Sequence, residues 1–159
     1  MNITYAPGDI LQIDNAKIIY RNFSGVGDKF NREGDRNFAV VVNDKDTADD
    51  LIEKNWNVRI KPPREKDGDP FMYLPVKVKF NGRGPVVHVV SGRNRAVFGE
   101  DLIGELDDMD IDNVDLDIRP YDWDINGKTG RTAYLQSMEV TQRLDRFAAR
   151  YAEEEYPEE

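Results

Sequence analysis

The 159-residue chain is 39% hydrophobic and 33% charged with no cysteine, enough for one domain that buries roughly two-thirds of its unfolded surface. That composition excludes a disulfide framework, a Cys-type zinc site and a thiol nucleophile; Met1 precedes polar Asn2 and Thr4 with no basic leader or apolar span, predicting an intracellular protein. The formal charge of −9 divides unevenly, with 16 basic against 13 acidic residues in 1–99 and 6 against 18 in 100–159, and because local charge governs phosphate binding the total does not exclude a nucleic-acid ligand.

Asp9 to Phe23 reads as one long first strand, with Leu11 and Ile13 on one parity and Ala16, Ile18 and Tyr20 on the other, so a bulge is expected near Asp14-Asn15. Ser24 to Arg36 is a glycine-bearing loop in which Phe30 stands alone among polar neighbours. It is either a plain connection with Phe30 tucked onto the core or a ligand loop. Asn37 to Asn43 is a continuous apolar strand, and Asp44 to Asn55 a short helix with an aspartate N-cap and Ala48, Leu51 and Ile52 as its apolar stripe.

Trp56 to Lys61 alternates, as does Phe71 to Phe80 after the Pro62-Pro63 and Lys66 to Pro70 turns. Antiparallel pairing of these strands would place Arg59, Lys61, Tyr73, Lys77 and Lys79 on one solvent face. A basic face with an aromatic suits a nucleic-acid strand, although exposed strand lysines also serve simply to block edge aggregation. Asn81 to Pro85 turns into the strand Val86 to Ser91. Its His88, the only histidine, reads as a packed strand residue, since metal and acid–base sites need partners. Gly92 to Arg95 is a basic loop, and Glu100 to Asp110 a short amphipathic helix.

Asn113 to Thr141 forms the hairpin around which the chain is organised. Val114, Leu116 and Ile118 alternate with polar residues, then Tyr121, Trp123 and Ile125 take the other parity, which predicts a bulge or bend at Arg119-Pro120. Asn126-Gly127 is a strong turn signal, with Lys128 to Gly130 extending the loop, and the return arm presents Tyr134, Met138 and Val140 on one face. Trp123 at the bend either stacks on a ligand or plugs the end of the core. Beyond Gln142 come a short amphipathic stretch and the glutamate-rich Ala152 to Glu159, expected to be a flexible tail.

Catalytic signatures are missing. Asp108-x-Asp110-x-Asp112 begins like a calcium loop, but Asn113 replaces the glycine and Arg119 the terminal glutamate. Asp122 and Asp124 could hold magnesium in a nuclease, yet alternate aspartates beside a turn are usually solvated charge. No cofactor is expected. The element order predicts a mainly β fold, a small OB-type Greek-key barrel of five to six strands with one or two short helices over 1–142, then a short helix and acidic tail over 143–159. Such barrels bind oligonucleotides on a strand face and its loops.

Arg21-Asn22-Phe23, the run Lys29 to Phe38 (KFNREGDRNF), Ile118 to Trp123 (IRPYDW), Asn126 to Gly130 (NGKTG) and the acidic end resemble the phage and prophage single-stranded DNA-binding proteins of replication and recombination modules. The resemblance implies an OB-type domain that coats ssDNA in the cytoplasm of a bacterial host. It also implies a tail that recruits replication proteins and competes with DNA, although Pro157-Glu158-Glu159 follows Tyr156 where familiar tails end in an aromatic.

Phosphates are then expected at Arg21, Lys29, Arg32, Arg36, Arg59, Lys61, Lys77, Lys79, Arg93 and Lys128, and base stacking at some of Phe23, Phe30, Tyr73, Tyr121 and Trp123. The charge of residues 100–159 keeps two other readings open: an acidic DNA-mimic that engages a host protein, and a metal-dependent nuclease.

Overall fold

The computed structural model describes residues 1–82, 84–147 and 150. Ten strands fill it: β1 (Asn2–Ala6), β2 (Ile10–Asp14), β3 (Ile18–Asn22), β4 (Arg36–Val42), β5 (Arg59–Lys61), β6 (Phe71–Val78), β7 (Val86–Ser91), β8 (Asn94–Phe98), β9 (Ile111–Ile125) and β10 (Lys128–Gln142). Helix α1 (Lys45–Glu53) lies between β4 and β5, and a 3-10 helix at Ile103–Asp107 between β8 and β9. The mainly β architecture is as expected, with more strands. Hydrogen bonding runs β1-β2-β9-β10-β6-β4-β3, with β5 added to β6, β7 to β10 and β8 to β7. The path does not return from β3 to β1, so the sheet is open.

The β9–β10 hairpin is the spine. Its turn is Asn126-Gly127, both at positive φ (53° and 81°), the conformation a twisted two-residue connection requires. Each arm has 15 residues, about 50 Å at the usual strand rise, long enough to serve two groups of strands. β10 pairs β6 in parallel at Ala133 and Tyr134, then β7 in parallel from Ser137 to Thr141. Between these segments the β9–β10 register shifts, leaving Gln136 as an extra residue. The extra residue reverses which parity faces inward: Ala133 and Leu135 are buried before it, Met138 and Val140 after it.

That bulge corrects the expected one at Arg119-Pro120, where the register is unbroken. Pro120 is tolerated because β2 pairs β9 no further than Ile118, so the proline lies beyond the ladder on that side. Tyr134 consequently faces away from Met138 and Val140. Lys128 to Gly130 belong to β10 itself.

Other boundaries move too. The long first strand is two strands, broken where Asn15 takes φ 54°; β1 and β8 were not expected, being half-exposed edge strands with weak alternation. The expected Trp56–Lys61 strand shortens to β5, with Trp56 making a single bridge to Arg131. The amphipathic segment before the hairpin forms only one 3-10 turn, which buries Ile103 and Leu106. α1 forms as expected: the Asp44 carboxylate accepts from the Thr47 backbone N–H at 2.7 Å and its hydroxyl at 2.8 Å, which caps the helix. The acidic segment Ala152 to Glu159 lies outside the described residues.

Between the inner faces lies one apolar core that includes Leu11, Phe38, Leu74, Val76, Leu116, Ile118 and Leu135, closed by Leu51, Trp56, Phe23 and Ile103. Among the described residues no polar or charged side chain is buried in it. Phe23 is 0% exposed and its ring stacks on Phe38 with centroids 5.0 Å apart. Phe23→Ala is therefore expected to cost about 3–5 kcal/mol of stability. Urea denaturation would check it: a loss below about 1 kcal/mol would contradict the packing.

Candidate nucleic-acid interface

Strand registers place the outward residues directly beside one another. Asn22 on β3 faces Asn37 on β4, which faces Lys77 on β6; Lys77 faces Tyr134 on β10, and Tyr134 faces Arg119 on β9. This transverse row crosses five strands, about 19 Å at 4.8 Å per strand. On one side of it, β5 pairs β6 antiparallel with Arg59 opposite Tyr73 and Lys61 opposite Phe71. The face expected from Arg59, Lys61, Tyr73, Lys77 and Lys79 is present as drawn from the alternation. On the same side, because β10 runs parallel to β6, Thr132 opposes Tyr121, Gly130 opposes Trp123 and Lys128 opposes Ile125, so the hairpin's outer half contributes its aromatics and Lys128 to the same surface.

Two aromatic stations result. Tyr73 packs edge-on to Tyr20 at 5.3 Å and beside Phe71 at 5.8 Å. The Lys61 ammonium donates to the Tyr20 hydroxyl at 3.0 Å and lies 5.0 Å from that ring's centroid. That hydrogen bond raises the Lys61 pKa above its ordinary value. At the second station Tyr134 sits between the Lys79 ammonium (5.5 Å) and the Arg119 guanidinium (5.0 Å), with Tyr121 edge-on at 6.0 Å. Trp123 lies across Gly130, where any Cβ would collide with its six-membered ring. The indole is on the outer surface, so it does not plug the core.

Three clefts join these parts. One of about 540 Å³ is bordered by Tyr20, Phe30 and Asn37; a second, about 490 Å³, by Asn37, Arg32, Lys77 and Lys79; a third, about 530 Å³, by Lys77, Tyr121, Trp123 and Tyr134. Asn37 is common to the first two and Lys77 to the last two. The three clefts therefore adjoin one another and form a segmented groove along the transverse row. Cations that lie over aromatic faces can move to phosphates and leave the rings to bases.

The other expected residues are divided among the core, structural bonds and the loops at and beyond the groove. Phe23 is core and offers no ring face. Arg21 donates through Nη1 to the carbonyls of Leu106 and Met109, both at 2.7 Å, fixing the 3-10 helix to β3. Arg36 donates to the Phe23 carbonyl at 3.1 Å and meets Glu100 at 3.7 Å, so it borders the groove with its head partly committed. Arg93 is in the β7–β8 turn, beyond the Thr141 end of β10 and roughly 25 Å along the strand from Tyr134. Lys29, Phe30 and Arg32 are exposed on the β3–β4 loop, with the Lys29 ammonium 5.2 Å from the Phe30 ring. His88 is half-buried on β7, opposite Glu139.

Sequence reasoning missed Tyr20, Asn37, Phe71, Arg119 and Tyr134. Phe71 shares parity with Tyr73 and Lys77, and Arg119 with Tyr121 and Trp123, so both were within reach of alternation. Tyr20 takes φ 52° within an irregular β3–β4 pairing, and Tyr134 depends on the bulge.

Three aspartates of the acidic stretch, Asp107 at the end of the 3-10 helix and Asp115 and Asp122 on β9, are engaged in structure. Asp107 accepts from the Phe23 and Ser24 N–H groups and the Ser24 hydroxyl. Asp115 accepts from the Asn15 N–H at 2.8 Å. Asp122 accepts from Arg131 Nε at 2.7 Å and Nη2 at 3.1 Å; this pairing lowers the Asp122 pKa and raises that of Arg131. Arg131 also meets Asp9 and lies over the Trp56 ring. Among the described residues no group of three or more His, Asp or Glu is arranged to hold a metal, and no helix is long and apolar enough to cross a membrane.

A family model described as "Putative phage ssDNA-binding domain" matches residues 2–159. The fold resembles the single-stranded DNA-binding protein from bacteriophage Enc34 in complex with ssDNA, at TM-score 0.59 and 13% identity, covering 91% of this chain and 92% of that one. The same phage protein without ssDNA aligns at TM-score 0.55 and 10% identity over 91% and 92%. Its C-terminal truncation aligns at TM-score 0.55 and 12% identity over 91% and 90%. No curated protein sequence matches the chain.

Proposed function

The chain belongs to the phage ssDNA-binding domain family, and on that premise we propose that it coats single-stranded DNA without sequence specificity through the groove along the transverse row. The single observation that carries the reading is the alignment of Asn37, Lys77, Tyr134 and Arg119 across four strands, with one aromatic station centred on Tyr134 and another beside the row at Tyr73. A basic track supplies sequence-independent phosphate attraction, and stacking accepts any base. The fold it shares with a phage protein captured on ssDNA is in keeping with that use.

The binding domain in this reading is residues 1–142, and residues 143–159 form an acidic appendage. The protein acts inside a bacterial host as a non-enzymatic component of a phage or prophage replication or recombination module, and the tail engages other proteins of that module. A DNA-mimic role receives less support, since Asp107, Asp115 and Asp122 are tied into the fold. A nuclease built on Asp122 would need the carboxylate that Arg131 occupies.

Titration of labelled oligo-dT of about 30 nucleotides, beside a matched duplex and at two salt concentrations, tests the proposal. Tight, salt-sensitive binding to the single strand is expected, and no binding at low salt would refute it. Deleting Ala152 to Glu159 is expected to tighten binding at low salt, because five glutamates that compete for the groove are removed. Equal affinity of the truncated and full chains would contradict that competition.

A further inference from the structure

Phe30 is 87% exposed, yet the loop that carries it is tightly braced. One Asp28 carboxylate oxygen accepts from two backbone N–H groups, those of Phe30 at 2.7 Å and Asn31 at 2.8 Å, the side-chain-to-backbone turn that aspartate favours. The Asn31 amide donates to the carbonyls of Val26 and Asp35, both at 2.9 Å, and of Arg32 at 3.2 Å. Its oxygen accepts from Asn37 at 3.0 Å, the same Asn37 that faces Lys77 in the groove. Gly34 N–H bonds the Gly25 carbonyl at 2.8 Å, and a Cβ on Gly25 would approach the Gly34 backbone to 3.1 Å. The loop's two arms thus touch and its tip cannot fold inward without breaking several bonds.

An apolar ring held in water by polar bonds serves no core. We propose that Asp28 and Asn31 are positioning residues that hold Phe30 as a pre-ordered stacking finger, so that the loop is fixed during folding rather than on DNA binding. The inference rests on the ssDNA-binding reading above. Pre-ordering strengthens association by reducing the ordering cost. It also accounts for a carboxylate beside the basic residues Lys29 and Arg32, a charge that by itself repels a polyanion.

The two roles of Asp28 predict opposite signs. If it acts only as a charge, Asp28→Ala and Asp28→Asn both tighten ssDNA binding. If it positions Phe30, Asp28→Asn keeps an acceptor oxygen, loses the charge, and binds oligo-dT as tightly as the unmodified chain or more tightly. Asp28→Ala, without an acceptor, binds roughly 5-fold or more weakly, the lower end of one lost base stack. Placed on Phe30→Ala, the Asp28→Ala change no longer weakens binding, because no ring remains to be held. Asn31→Ala is expected to weaken binding with an unchanged salt slope, since no phosphate contact is lost.

Tightening by Asp28→Ala in the otherwise unmodified chain would overturn the proposal, as would equal weakening by the alanine and asparagine variants. Should Asn31→Ala fail to fold, the Asp28 pair decides alone. Failure of the unmodified chain to bind oligo-dT would remove the DNA-binding reading and this inference together, and is recognisable because it needs no variant.

Discussion

Tyr73→Ala combined with Tyr134→Ala is expected to lower affinity for oligo-dT by about 30-fold to 10⁴-fold, the sum of two base stacks at about 1–3 kcal/mol each. The two rings belong to different stations. Tyr73 is four residues from Lys77 on β6, and Tyr134 is Lys77's neighbour on β10, so they stand roughly 14 Å apart by strand rise and spacing. Bases of one strand can reach both. Neither substitution removes a charge, so the slope of log affinity against log salt should not change. Stability should fall little, because cross-strand surface pairs contribute only about 0.2–1 kcal/mol each. A loss below threefold, with fold intact, would mean that bases do not stack on this face.

Removing Lys77, Lys79 and Arg119 together, each to alanine, is expected to flatten the salt dependence by about 2 in slope, at about 0.7 per phosphate contact on a single strand. At low salt the loss of affinity should exceed that at high salt. Arg21→Ala provides the contrast. Its guanidinium is spent on the Leu106 and Met109 carbonyls, so its loss should lower thermal stability and leave the slope unchanged. An unchanged slope in the triple variant, or a flattened one in Arg21→Ala, would place the phosphate track elsewhere.

These two variant sets separate what alternation revealed from what it could not. The turn at Asn126-Gly127, the cap at Asp44 and the shared face of Arg59, Lys61, Tyr73, Lys77 and Lys79 are local consequences of backbone preference and period-2 side-chain direction. Each was legible. The bulge at Gln136 is not a local property of Leu135-Gln136-Ser137; it lies where β10 passes from β6 to β7, a matter of long-range pairing. Without it, Tyr134 groups with Met138 and Val140 and is lost among core residues.

Phe23 and Phe30 illustrate a second limit. Both are phenylalanines beside basic residues near one loop, and composition treats them alike. One is sealed against Phe38, and the other is held in solvent by bonds from Asp28 and Asn31. Arg21 and Arg119 diverge in the same way, one committed to backbone carbonyls and the other over the Tyr134 ring. Burial and the partners already taken decide such cases, and only the fold supplies them.

Photo-crosslinking of the full chain to oligo-dT carrying 5-iodouracil, with adducts mapped by mass spectrometry, tests the central claim most directly. The account predicts adducts at Phe30 and on the outer face at Tyr20, Tyr73, Tyr121, Trp123 and Tyr134, suppressed at high salt. Adducts confined to Tyr5 or His88, on surfaces away from the transverse row, would contradict it.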